Sequence, residues 1–133
     1  MRGATGRLDW MLSEFTHDTP GVDLAVVLSA DGLRLATSPG VTEDLGDQIA
    51  AAAAGLASLA RGAARLLGDG KLTQTILEME SGYLFVSAVD HGATLVVHAA
   101  RGCDMGLVGY EMTMLITRAG HALTPGPRVG ISR

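Results

Sequence analysis

The chain has 133 residues, 47% of them hydrophobic but only 4% aromatic, with 10 basic residues against 14 acidic and a net charge of -4. That length suits one domain able to bury roughly two thirds of its unfolded surface, with a core of aliphatic side chains. The acidic balance and the absence of a basic run argue against a nucleic-acid partner, as does the shortage of aromatics for stacking on bases. The single cysteine, Cys103, cannot form an internal disulfide, and "MRGATGRLDW" has no apolar run for a signal peptide. Both features fit a reducing, cytoplasmic setting.

The elements follow in order. Residues 1–7 are expected to be a flexible N-terminus. Leu8, Met11, Leu12 and Phe15 keep helical spacing and predict a helix from Leu8 to about His17, stopped by "TPG". Val22–Ser29 and Leu33–Thr37 flank the turn signal Asp31–Gly32 and predict a hairpin. Thr42 can cap a second helix running to a stop at Gly68. Glu43, Asp44 and Asp47 suit its positive end, and Arg61 and Arg65 its negative end. Three strands follow, about Leu72–Met79, Tyr83–Asp90 and Ala93–Ala99, joined by turns at Ser81–Gly82 and His91–Gly92. Asp104 opens a last helix whose buried face is expected at Met105, Val108, Met112, Leu115, Ala119 and Leu123; Gly106 and Gly109 would bring it close to the sheet or to the first helix. Residues 125–133 are expected to be a loose tail, leaving a single domain over 8–124. The resulting order is αββαβββα: an α+β sandwich, with a mainly antiparallel five-stranded sheet and helices on both faces.

The second helix carries the main question. "QIAAAAAGLASLARGAARLLG" approaches the length of a membrane span, yet Arg61 and Arg65 would cost about 2.5–3.5 kcal/mol each near a bilayer centre, and membrane insertion is rejected. Ile49, Ala52, Leu56, Leu59, Ala63 and Leu66 form an apolar stripe expected to lie on the sheet. The other side presents Ala51, Ala54, Gly55, Ser58, Arg61, Gly62 and Arg65. Interior glycines weaken a helix by about 1 kcal/mol each relative to alanine. They are useful where another backbone comes near, at an interaxial distance close to ~8 Å. That backbone belongs either to a partner or to the same molecule. The third strand mixes Thr73, Gln74 and Thr75 with Ile76 and Leu77, so neither of its faces is cleanly apolar. It reads as an edge strand open to pairing with a second chain, although Glu78 and Glu80 could repel one.

Chemical motifs are weak. "GDGKLT" fails as a phosphate loop, because Arg65 stands where the first glycine belongs and Leu72 where Ser or Thr should follow Lys71. His17, His91, His98 and His121 lack mutual ligand spacing, so no metal and no cofactor is expected. Cys103 beside a helix start, with His98 five residues before it, is the only nucleophile-base pairing, and packing explains both residues as well. An enzyme is not expected. A ligand-sensing module is the alternative, and it would require a pocket.

With these segments in place, "LDWMLSEFTHDTPGV", "AVVLSADGLRLATS" and above all "CDMGLVGYEMTMLITRAG" resemble the Roadblock family, the dynein light-chain roadblock-type domains, over about Arg7 to Pro125. The resemblance implies a profilin-like sandwich. It also implies a homodimer or heterodimer whose third strands join into one sheet and whose second helices lie together. It further implies a non-catalytic role beside a small Ras-like GTPase, accompanied in some bacterial members by a sensor kinase.

Overall fold

A computed structural model describes residues 2–124 of the chain. Its elements run α1 (Arg2–Asp18), β1 (Val22–Leu28), β2 (Arg34–Thr37), α2 (Glu43–Leu67), β3 (Gln74–Glu78), β4 (Gly82–Ala88), a 3-10 turn (Asp90–Gly92), β5 (Thr94–Ala100) and α3 (Met105–Leu123). The expected order αββαβββα is the observed one. The first helix starts at Arg2 instead of Leu8. The expected tail at 125–133 lies outside the described residues.

The strands form one antiparallel sheet in the order β2-β1-β5-β4-β3. The hairpins β1–β2 and β4–β5 each place sequential strands side by side, and α2 carries the chain from one edge of the sheet to the other. Strand alternation then sorts the core into two layers. Ala25, Val27, Phe85, Leu95 and Val97 face α1 and α3, where they meet Leu8, Leu12, Phe15, Val108, Met112 and Leu115. Val26, Leu28, Val86 and Val96 face α2. The buried face of α3 is close to expectation, except that Met105 is exposed and Leu123 half-buried. Gly106 and Gly109 do not mediate close packing: a Cβ on Gly109 would meet nothing within 4 Å, and one on Gly106 only the Asp104 carboxylate at 3.5 Å. Gly120 is the close-packed glycine of α3, with Asp90 Oδ2 3.3 Å from where its Cβ would stand.

Helix ends follow the expected chemistry. Thr42 caps α2 by accepting from the Leu45 N–H at 3.1 Å, left-handed Gly68 closes it, and Asp104 caps α3 by accepting from the Leu107 N–H at 3.1 Å. Arg34 ties β2 to the first turns of α2. Its Nε donates to Asp47 at 2.9 Å and its Nη2 lies 3.7 Å from Glu43. The hydrogen bond to Asp47 is the main cause that holds the guanidinium's pKa above its ordinary value.

The far edge is finished differently. The Thr37 N–H, on the outer side of β2, donates to Asp9 Oδ1 of α1 at 3.2 Å. In the interior, Gly82 of β4 sits against β5. A Cβ there would stand 2.8 Å from the Ala99 carbonyl oxygen and 2.9 Å from His98 Nε2. Gly82→Ala is therefore expected to cost about 1–3 kcal/mol, read as a lowered urea unfolding midpoint, because backbone must move to admit the methyl group.

Candidate functional site

Helix α2 is 25 residues long, and it is rotated about its axis by roughly one residue, about 100°, from the sequence expectation. The face on the sheet is Gly46, Ala50, Ala53 and Ala57, all buried. Of the stripe expected there, Ala52, Leu59, Ala63 and Leu66 are exposed, while Ile49 and Leu56 are only half-buried at its margin. The physical reason lies in the opposing layer. Val26, Leu28, Val86 and Val96 already fill the space above the strands, so methyl-sized side chains on the helix complete the packing and large ones would overfill it. The small residues thus serve a close approach to the helix's own sheet.

The leucines then point outward. Leu59 is 76% exposed, Leu66 89% and Leu67 73%, and Leu45 is also exposed. The residues named from sequence as a partner face flank this surface. Ala51, Gly55, Ser58, Arg61 and Arg65 are exposed and Gly62 is half-exposed, whereas Ala54 turns partly inward against the α2-side core. Ser58, Leu59, Gly62, Ala63, Arg65 and Leu66 line one shallow depression. A Cβ on Gly55 would meet nothing within 4 Å. The outer surface is therefore a leucine row beside a small-residue flank. Sequence reasoning found the flank and missed the row. The signal was available: Gly46, Ala50, Ala53, Ala57 and Ala64 also keep helical spacing, and they match a β-sheet of large side chains better than leucines do.

Strand β3 is at the edge of the sheet, as its mixed pattern predicted. It pairs on one side only, with Thr75 opposite Val86, Ile76 opposite Phe85 and Leu77 opposite Leu84. Gln74 and Ile76 are exposed, and Thr75 and Leu77 half-buried; Thr73 is exposed just before the strand. Gln74 Nε2 donates to Ser87 Oγ at 2.9 Å. Helix α2 carries the chain from β2 across to this open edge, so its leucine row and the unpaired backbone of β3 are neighbouring features.

The other sequence candidates are not brought together. Cys103 is half-exposed and packs with the α1/α3 layer, its Sγ 3.8 Å from Met105 Sδ. His98 follows Val97 on β5 and so points to the opposite side, where its Nδ1 lies 2.7 Å from Asp23 Oδ1. The sheet separates thiol from imidazole. Among the described residues no three His, Cys, Asp or Glu side chains converge as metal ligands, and no helix is long and apolar enough to cross a membrane.

This arrangement of one helix on one side of an antiparallel sheet and two on the other is a profilin-like sandwich. Acanthamoeba castellanii profilin IA shares it with a TM-score of 0.54 and 18% identity, over 85% of this chain and 96% of that one. The chain belongs to the Roadblock/LC7 domain family, whose profile matches residues 8–99. A Roadblock/LC7 domain from Streptomyces avermitilis is 40% identical, with a TM-score of 0.82 over 86% of this chain and 96% of that one. The gliding protein MglB from Thermus thermophilus has the same fold at 22% identity, with a TM-score of 0.78 over 90% of each chain. No curated protein matches the sequence significantly.

Proposed function

We propose that this protein is a non-catalytic, cytoplasmic signalling scaffold that pairs with a second copy of itself and, as a pair, binds and regulates a small Ras-like GTPase, in company with a sensor kinase. The observation that carries the reading is the outward leucine row of α2 beside the open β3 edge. Singly scattered surface leucines need no explanation, but a row along one helix is the kind of patch that marks an interface. Two β3 edges meeting antiparallel around a two-fold axis would extend the sheet and set the two α2 helices side by side. Their combined outer surface would be a platform that neither copy has alone. The family resemblance supplies the GTPase as the partner class.

The test is affinity capture of the tagged protein from its native cell with and without a non-hydrolysable GTP analogue. A GTPase retained in a nucleotide-dependent manner supports the proposal, and its absence under both conditions overturns it. A point variant sharpens the result. Gly55→Leu has open space for its side chain and gains helix propensity of up to about 1 kcal/mol, so the isolated fold is expected to be as stable as before or more so. The same leucine should weaken capture of the partner. Thermal unfolding and capture yield, measured on one preparation, separate the two effects.

A further inference from the structure

On the side of the sheet opposite α2, the outer face of the α1/α3 layer carries its own apolar strip. Leu107, Tyr110 and Met114 of α3 follow one another at helical spacing and are all exposed, Tyr110 by 60%. Across the furrow between the two helices stands Trp10 of α1, 56% exposed. Arg118 of α3 spans the furrow. Its guanidinium lies 5.9 Å from the centre of the Trp10 ring and 3.4 Å from Glu14 Oε1. The helices are antiparallel, because Gly21, just beyond α1, packs on Cys103, just before α3. The furrow is therefore polar along its length. Glu14, Asp18, Glu111 and Met114 line it beside Arg118. Asp18 and Glu111 stand towards one end, and Arg118 and the exposed Arg7 towards the other. Glu14 is answered by Arg118. Glu111 takes part in no ion pair among the described residues, and Asp18 meets only its neighbour His17.

We infer that this furrow receives an amphipathic helix of a second, different protein. The apolar stripe of that helix lies on Trp10, Tyr110 and Met114, and its lysine or arginine residues lie over Asp18 and Glu111. The chain has one tryptophan and two tyrosines, and the tryptophan and one tyrosine are spent on this surface. Those residue types anchor partners, and methionine adapts to their shape. Two helices side by side with an apolar furrow between them offer a groove for a third, read at helical spacing. Charge selects the occupant, since carboxylates without a strong cation at one end attract a basic segment and repel an acidic one. The inference does not rest on the scaffold reading, because the sheet lies between this furrow and α2.

Trp10 is the only tryptophan of the chain, so its fluorescence reports from the furrow itself. The probe is an amidated helical peptide of about 14 residues, built only of leucine and lysine and titrated into the full chain. A saturable blue shift of the emission is expected, with a Kd below about 100 μM, and the same peptide with glutamate for lysine should bind at least about tenfold more weakly. Asp18→Lys combined with Glu111→Lys should reverse that preference. Asp44→Lys combined with Asp69→Lys changes the net charge equally on distant exposed sites and should leave it intact. Circular dichroism confirms that both variants are folded. Any of four results overturns the inference: no saturable shift with the lysine peptide, equal binding of the glutamate peptide, the same loss in both variants, or a blue shift on raising the protein concentration alone. The last would make the occupant a second copy of this chain.

Discussion

Replacing Leu59 and Leu66 together by glutamate is expected to yield a folded monomer in place of the pair proposed for the parent protein. Both side chains are largely exposed in the single chain, so the change should alter the stability of the isolated fold by no more than about 0.5 kcal/mol per site. In a pair with the two α2 helices side by side, the same substitutions bring four carboxylates into a water-poor contact. Each unpaired buried charge costs several kcal/mol, enough to dissociate a micromolar dimer completely. Light scattering at micromolar concentration reads the mass, and far-ultraviolet circular dichroism confirms the fold. A parent protein that is already monomeric, or a variant that remains paired, would refute the pairing surface proposed for α2.

Ala53→Leu should have the largest effect on the single chain. Ala53 is fully buried between α2 and the valine layer formed by Val26, Val86 and Val96. Three added carbon atoms must displace either the helix or the strands, an overpacking cost of about 1–3 kcal/mol or more. Ala52→Leu, one residue earlier and exposed, is the control and should fall within about 0.5 kcal/mol of the parent. Urea unfolding should show a lowered midpoint for the first and an unchanged slope for both. Equal midpoints for the two variants would mean that α2 does not lie on the sheet by its alanine face.

These variants also mark where sequence reasoning succeeded and where it failed. The order of elements was legible because each boundary has local chemistry: Thr42 and Asp104 as caps, Gly68 as a stop, and His91–Gly92 as a turn in which both residues take positive φ. The edge position of β3 was legible because Thr73, Gln74 and Thr75 deny it a clean apolar face. The rotation of α2 was not. A helix in which most positions are Ala, Gly or Leu offers two rival stripes, and hydrophobicity favours the leucines. The choice depends on the volume left by strands far away in sequence, which no local pattern encodes. Of the candidate surface, only the exposure was legible: Gly55 and Ser58 face outward and Gly62 is half-exposed, as the flank of a leucine row that hydrophobicity alone assigns to the core.

The two borders of the sheet are unequal, and that sets an upper limit on assembly. At β2 the outward Thr37 amide is already engaged by Asp9 of the first helix, and the strand spans only Arg34–Thr37. At β3 the ladder is unsealed. Pairing of the kind proposed would therefore occur once per molecule: two copies would consume each other's vacancy, and a third would find no open edge. A fold whose edges were alike would polymerise; this one would terminate at a closed pair.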